Sequence, residues 1–245
     1  MPQPAYVVLG ATGGIGAALC RRLAARGARL TVAARDCRRT RALGEELGAQ
    51  SLPIDATCAA HVDRCLAEAS EHHGRIDGVV NCVGSLVLKP AHLTTDDEWA
   101  SVLAANLTSA FLTVRAAVRA MTGTGGSVVL MSSAAARLGI ANHEAVAAAK
   151  AGVLGLVLSA AASYAGRGIR VNAVAPCLVR TPMTAALTGN EASLKASTAL
   201  HALGRIGEPD EIASAIEWLL DPSQSWVTGQ VLGVDGGLAT VRSRA

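Results

Sequence analysis

Short apolar runs alternate with longer, alanine-rich segments along almost the whole chain. The short runs are rich in valine, leucine and isoleucine and predict strands, whereas the longer segments predict helices. The predicted strands cover 5–10, 28–34, 51–54, 76–82, 126–132, 168–175 and 230–234, and the predicted helices cover 15–26, 38–47, 58–73, 95–121, 143–164 and 208–220.

This alternation predicts βαβ units with parallel strands and right-handed crossovers. We therefore expect an α/β fold of three layers, with a doubly wound, seven-stranded parallel sheet between two layers of helices. No linker, repeat or low-complexity segment divides residues 1–245, which predicts a single domain. Residues 181–205 break the alternation, and we expect this insertion to lie over the carboxyl edge of the sheet as a substrate lid.

The composition narrows the class of protein. Hydrophobic residues make up 51% of the chain and aromatic residues only 2%, so the core must consist of small and branched aliphatic side chains. The net charge of +3 is too small to favour nucleic-acid binding. No apolar run that is free of glycine and charge is long enough to cross a bilayer, so we expect no membrane partner.

The six cysteines are scattered and form no Cys-x-x-Cys pair, so they predict neither a metal site nor a redox disulfide. Reduced thiols are typical of an intracellular protein. The first residues carry no basic region and lead directly into the first predicted strand, which indicates no export signal. We therefore expect a cytoplasmic protein.

A glycine-rich segment, Gly10-Ala-Thr-Gly-Gly14-Ile-Gly16, lies between the first predicted strand and the first predicted helix. Gly10 permits a sharp turn, while Gly14 and Gly16 allow the backbone to approach a pyrophosphate and the helix to pack closely on the strand. The phosphates then lie at the helix N-terminus, where the dipole and the backbone N–H groups favour negative charge. This context predicts a dinucleotide-binding site.

The end of the second predicted strand distinguishes NAD from NADP. An acidic residue there binds the ribose hydroxyls, but the sequence reads Ala33-Ala-Arg35-Asp36. The Arg35 guanidinium suits a 2′-phosphate, to which Arg38 or Arg39 can add, so we expect NADP(H). The alternative is that these arginines only solvate the start of a helix, for which Asp36 is the expected N-cap.

The spacing of Gly10, Gly14 and Gly16 resembles the short-chain dehydrogenase/reductase family. Further motifs of that family follow in order over nearly the whole chain. They are Asp55, the turn Asn81-Cys-Val-Gly84, Asn106, Ser132-Ser133, Lys150, the segment from Val171 to Met183, and residues 204–213 and 227–237.

This resemblance implies a Rossmann fold, an oxidoreductase activity, and roles for particular residues. The implied catalytic residues are Ser133, which would hold the carbonyl oxygen, Asn106, which would position a relay water, and Lys150, which would bind the nicotinamide ribose. The implied cofactor contacts come from Gly10, Thr12, Gly14, Ile15, Gly16, Arg35, Asp55, Asn81, Gly84, Lys150, Pro176, Thr181 and Met183.

One departure from the family lies at the centre of the chemistry. In the family a tyrosine follows the serine by thirteen residues and precedes the lysine by four, but that position here is Val146. The tyrosine is the acid that protonates the substrate oxygen, and valine has no proton to give. Because a positioned general acid contributes on the order of 10²–10⁴ in rate, an ordinary alcohol dehydrogenase activity should be poor.

Three explanations for this departure stay open. His143, at the offset from Lys150 that the tyrosine has in enoyl reductases of the superfamily, is a candidate replacement acid; alternatively it only begins the helix, with Asn142 as the N-cap and Glu144 in the first turn. A conjugated C=C bond, an iminium or a quinone-like ring would need no strong protein acid. Finally, catalysis can have been lost while cofactor binding is kept.

We expect an NADP(H)-dependent reductase that acts on a small to medium apolar carbonyl, enone, imine or quinone-like substrate with a non-standard proton donor. Its catalytic residues are expected to be Ser133, Lys150, Asn106 and His143. The alternative is a degenerate member of the family that binds NADP(H) or a partner without turnover. The resemblance also implies a homotetramer, or else a homodimer, with Trp226 at a subunit contact, while Trp99 and Trp218 are expected in the core.

Overall fold

The computed structural model describes residues 3–242, within which seven strands form one parallel sheet. The strand order is β3-β2-β1-β4-β5-β6-β7, which confirms the predicted doubly wound α/β fold. The two ends of the predicted domain 1–245, residues 1–2 and 243–245, lie outside the described residues. The strands are β1 (Ala5–Leu9), β2 (Arg29–Ala34), β3 (Gln50–Pro53), β4 (Gly78–Asn81), β5 (Gly126–Met131), β6 (Ile169–Pro176) and β7 (Val231–Val234).

The helices connect these strands and cover both faces of the sheet. A π-helical turn, Ala104–Thr108, joins α4 to α5, so the single helix predicted over 95–121 is interrupted at its middle. The helices are α1 (Gly14–Ala25), α2 (Cys37–Leu47), α3 (Ala59–His73), α4 (Asp96–Leu103), α5 (Ser109–Ala120), α6 (Glu144–Tyr164), α7 (Ala185–Thr188), α8 (Glu191–Leu200) and α9 (Pro209–Leu220).

Alternating side chains of the strands build two hydrophobic cores, because successive residues of a strand point to opposite faces. In β1, Val7 and Leu9 pack with residues of α3, α5 and α6, whereas Tyr6 and Val8 pack with residues of α1, α2 and α9. The strand order reverses direction between β1 and β4. Ligands of doubly wound sheets bind in the crevice at that point, outside the carboxyl ends of the strands.

The insertion 181–205 contains helical structure that the sequence analysis did not predict. A 3₁₀ turn, Pro182–Thr184, leads into α7, and α8 follows. None of the residues of α7 and α8 is fully buried, so no apolar stripe marked them as helices. That this segment serves as a substrate lid stays a prediction.

Two expectations about individual side chains are wrong. Trp99 and Trp218 are 42% and 44% exposed rather than in the core, because helices α4 and α9 bury their other faces. The N-cap of α6 is His143 and not Asn142, whose backbone has a left-handed φ of 62° that places it outside the helix. Glu144 lies in the first turn as expected, and Trp226 is 98% exposed.

Two helical stretches, Asp96–Ala120 and Glu144–Arg167, are by length and composition sufficiently apolar to cross a bilayer. Both contain charged residues, and each buries about half of its apolar window against the rest of the protein. Residues of both line the core on one face of the sheet, which accounts for the apolar character of their buried sides.

Candidate active site

The glycine-rich turn after β1 is closely packed. Gly10 has a left-handed φ of 75°, and its N–H donates to the carbonyl of Ala33 at the end of β2. A Cβ on Gly16 would collide with the carbonyl oxygen of Gly10, so only glycine lets α1 begin so close to the strand. A Cβ on Gly14 would lie 2.8 Å from Cγ2 of Thr181, so the start of the insertion packs directly against the turn.

Three arginines, Arg35, Arg38 and Arg39, follow β2, and one of them contacts this turn. The Asp36 carboxylate accepts the Arg39 N–H at 2.9 Å, so it caps α2 as predicted. The Arg39 guanidinium donates to the carbonyl of Thr12 at 2.6 Å. Arg35 itself is exposed. The sequence did not distinguish Arg38 from Arg39 as the second arginine at a 2′-phosphate, whereas in the structure Arg39 is hydrogen-bonded to the turn.

Asp55 lies close to these arginines, after β3. Its Oδ1 accepts hydrogen bonds from the Thr57 N–H at 2.9 Å and the Thr57 hydroxyl at 2.8 Å. These hydrogen bonds, with the nearby Arg35 charge, hold the pKa of Asp55 below its ordinary value. Asp55 is thus an ionised acceptor at the edge of the crevice, as adenine recognition would require.

Asn81 and Gly84 shape the turn after β4. The buried Asn81 side chain accepts the Val83 N–H at 2.8 Å and donates to the hydroxyls of Ser109 and Thr113 at 3.2 and 3.0 Å. These bonds fix the turn to α5, and a role of Asn81 in cofactor binding stays a prediction. A Cβ on Gly84 would lie 2.9 Å from Oδ1 of Asn106, so no larger residue fits there.

Asn106 lies buried in the π-helical turn and is held by four hydrogen bonds. Its Nδ2 donates to the Ser85 carbonyl at 3.2 Å, the Ser85 hydroxyl at 3.0 Å and the Val102 carbonyl at 3.0 Å. Its Oδ1 accepts the Ser85 N–H at 3.3 Å. Ser85 is a residue that the sequence analysis missed, because only the fold brings the residue after the Asn81–Gly84 turn against this helix.

Lys150 is buried in α6, and its Nζ donates to the carbonyl of Met131 at the end of β5, at 2.8 Å. Burial lowers the pKa of Lys150 to about 8, because removal from water disfavours the charged form. Burial also raises the pKa of the neighbouring Cys82 thiol to about 12, so this thiol is neutral near pH 7. The ammonium therefore has no thiolate beside it.

The two serines after β5 have different environments. The buried Ser132 hydroxyl donates to the carbonyl of Lys150 at 3.0 Å and joins β5 to α6. The half-buried Ser133 hydroxyl accepts the Ala135 N–H at 3.2 Å and begins a 3₁₀ turn. Of the two serines, Ser133 is therefore the one whose side chain stays partly exposed.

His143 and Val146 occupy the start of α6. Val146 is 5% exposed and packs in a small apolar cluster whose buried members are Val102, Ala145, Val146 and Ala149, with Leu86, Val87, Leu103 and Leu107 at its edge. Nδ1 of His143 lies 2.8 Å from the carbonyl oxygen of Ala141. Among the described residues, no hydrogen bond joins His143 to Ser133, Asn106 or Lys150.

The remaining predicted cofactor contacts lie around the glycine turn and the carboxyl end of β6. Pro176 is the last residue of β6, Ile15 is half-buried in the first turn of α1, and Met183 is 53% exposed. The Thr181 N–H donates to the Thr184 hydroxyl at 3.1 Å and so begins the 3₁₀ turn of the insertion. No described group of His, Cys, Asp and Glu side chains is arranged to hold a metal ion.

Comparison with known proteins agrees with this architecture. The family model described as "Enoyl-(Acyl carrier protein) reductase" matches residues 10–239. The 3-oxoacyl-(acyl-carrier-protein) reductase FabG of Vibrio cholerae is 34% identical over 235 residues, which cover 95% of this chain and 96% of that protein. The chain belongs to the short-chain dehydrogenase/reductase family. Its members include oxidoreductases of the kind that the resemblance implied.

Solved structures of this family have the same fold. A short-chain type dehydrogenase/reductase from Mycobacterium ulcerans superposes with a TM-score of 0.93 at 30% identity and covers 98% of this chain, which spans 91% of that structure. A single-residue variant of actinorhodin polyketide ketoreductase, solved with NADPH, superposes with a TM-score of 0.92 at 30% identity, with 98% of both chains covered. The short-chain dehydrogenase/reductase architecture therefore extends over the whole described chain.

Proposed function

We propose that the protein is an NADPH-dependent reductase of a small to medium apolar carbonyl, enone, imine or quinone-like compound, in which a group other than tyrosine supplies the proton. The observation that carries this proposal is the packing of Lys150, Asn106 and Gly84 into one buried centre, with Val146 at the tyrosine position. A Cβ on Gly84 would lie 2.9 Å from Oδ1 of Asn106 and 3.7 Å from Nζ of Lys150.

The glycine turn fits a dinucleotide. Its backbone leaves no room for side chains at Gly10 and Gly16, and the N-terminus of α1 faces the crevice without a side-chain cap. The backbone N–H groups in the first turn of a helix have no partner within the helix, and they are suited to binding a pyrophosphate. Arg35, together with Arg39 beside Thr12, supports the choice of NADPH over NADH, since two guanidinium groups favour a 2′-phosphate. NADPH, when bound, would supply the hydride.

The surroundings of Val146 support an apolar substrate. The side chains packed around it are aliphatic, and Leu86 and Val87 at the edge of the cluster are only partly buried. Ligand pockets are commonly apolar with a few polar groups that fix orientation, and here Ser133 would be such a polar group. Ser133 would donate a hydrogen bond to the substrate oxygen and so stabilise negative charge on it.

The direct test is oxidation of NADPH across a panel of ketones, enones, imines and quinones, with NADPH binding measured separately by fluorescence. We expect NADPH to bind and at least one class of substrate to be reduced. Binding without turnover over the whole panel would instead support the second candidate, a cofactor-binding protein without catalysis, for which Val146 is the favouring observation. Failure to bind NADPH would contradict both.

We further propose a cytoplasmic homotetramer. Large apolar side chains are exposed on two separate surfaces: Phe111 and Leu158 on α5 and α6, and Trp226 with Leu232 beside the edge strand β7. Two apolar surfaces match a tetramer with two kinds of two-fold interface. In light scattering, Leu158→Glu should convert tetramers to dimers, whereas Leu93→Glu, at another exposed leucine, should leave the mass unchanged.

A further inference from the structure

The described residues offer few groups that could give a proton where the phenol is missing. Val146 has none, and aliphatic side chains surround it. The His143 ring points back to the carbonyl of Ala141, and His143 lies at the N-cap of α6, outside the helix proper. The Ser133 hydroxyl is too weakly acidic to give up its proton near neutral pH unless another group returns a proton to it.

Lys150 is different in both position and chemistry. Its ammonium is buried one helical turn after Val146, and it uses one of its three donor hydrogens on the carbonyl of Met131. No salt bridge pairs it with a carboxylate among the described residues. Gly84 and the amide of Asn106 lie beside Nζ, and Gly84 has no side chain there that could cover the ammonium.

We infer that Lys150 itself donates the proton to the oxygen of the reduced substrate. The inference rests on the proposed function and deepens it. As hydride from NADPH forms the new C–H bond, the C=O π electrons move to oxygen, and an N–H bond of the ammonium breaks to form the O–H bond. The products are an alcohol, NADP⁺ and a neutral amine, which recovers a proton from solvent.

The buried charge suits this task before any proton moves. An ammonium in a site of low dielectric stabilises negative charge that develops on a nearby oxygen more strongly than it would in water. Burial also brings the pKa of Lys150 to about 8, and a general acid works best when its pKa lies near the working pH. The titratable group that acts on it is Cys82, which stays neutral in this range.

The kinetic test compares Lys150→Arg and Lys150→Met with the wild type. Arginine keeps the positive charge but does not release a proton near neutral pH, so Lys150→Arg should bind NADPH nearly as well while kcat falls on the order of 10²–10⁴-fold. Wild-type kcat should decline above pH 8 as the ammonium deprotonates. Lys89→Met, at an exposed lysine paired with Glu98, is the control and should retain wild-type kcat.

A second measurement does not depend on turnover. The chain has three lysines, Lys89, Lys150 and Lys195, so ¹³Cε-lysine NMR gives three signals that Lys150→Arg assigns. In the protein without cofactor, the Lys150 signal should titrate near pH 8. A midpoint near that of exposed lysines, or a Lys150→Arg variant with wild-type kcat, would overturn the inference. If instead the Lys150 signal titrates near pH 8 as expected but no substrate is reduced, the proposed reductase function is rejected.

Discussion

We expect Val146 to determine whether this site works as most members of its family do. It lies one helical turn before the buried Lys150, with both residues on α6, and it contributes no acidic proton. Asn106 and Gly84 are closely packed beside Lys150, Asn106 is hydrogen-bonded, and the Ser133 hydroxyl accepts the Ala135 N–H. A single substitution at position 146 can therefore test the role proposed for this side chain.

Val146→Tyr should create or raise ketone reductase activity, because a phenol beside the Lys150 ammonium is a positioned acid worth on the order of 10²–10⁴ in rate. The measurement is NADPH oxidation with a panel of apolar ketones. Val146→Phe is the matched control, since it fills the same space without a hydroxyl. Equal rates in the two variants would mean that the aliphatic cluster around position 146 has rebuilt the pocket.

A second single-residue variant, Arg35→Ala, tests the preference for NADPH over NADH. We expect NADPH binding to weaken by about 1.5–3 kcal/mol, the range for a hydrogen bond to a charged group, while NADH binding changes little. Isothermal titration with both dinucleotides measures the difference. Arg64→Ala, at an exposed arginine of α3 that pairs with Glu68, is the control and should leave both affinities unchanged. An equal loss for NADPH and NADH would refute the role of Arg35 at a 2′-phosphate.

At the scale of elements, the turn between β1 and α1 couples folding to cofactor binding. Gly16→Ala should destabilise the protein by about 1–3 kcal/mol, as overpacked substitutions do, because the new Cβ collides with the backbone oxygen of Gly10. Gly14→Ala should cost less, since its Cβ would meet side-chain atoms of Thr181 and Pro182 rather than backbone atoms. Urea unfolding of both variants provides the measurement.

Both variants should lose NADPH affinity, because the new Cβ, against Gly10 in one variant and against Thr181 in the other, would displace the turn on which the pyrophosphate is expected. Gly14→Ala and Gly16→Ala are therefore expected to differ only in their free energy of unfolding. If Gly14→Ala proves as unstable as Gly16→Ala, the insertion that begins at Thr181 is packed on the turn as rigidly as the strand is. If neither loses affinity, the turn is not the phosphate site.

The sequence predicted most elements because their burial leaves a pattern. Strands such as β1 and β5 are almost wholly buried and therefore read as continuous apolar runs. The helix α8 buries none of its residues completely, so its alanines and threonines gave no periodic signal. The contact of Asn106 with Ser85 is set by tertiary structure, across 21 residues, and no local pattern encodes it.

At the scale of the whole molecule, buried ionisable groups make stability depend on pH. The pKa of Lys150 is about 8 in the folded chain and near 10.5 when exposed, so between these values the unfolded chain binds more protons than the native one. Stability should therefore rise with pH through this window, by about 3 kcal/mol from this residue. Buried thiols oppose the effect: burial raises the pKa of Cys65 and Cys82 to about 12, so only the unfolded chain ionises them as pH rises.

The contribution of Lys150 is isolated by comparing the wild type with Lys150→Met, since the thiols are common to both. At pH 7 the variant should be more stable, because it removes a buried charge that has no carboxylate partner. Its advantage should shrink as pH rises from 8 to 10.5, where the wild type buries a neutral amine. Urea unfolding at several pH values measures this difference. An advantage that does not depend on pH would show that the Lys150 ammonium is solvated in the folded protein, and the low-dielectric environment that makes it a good acid would then be absent.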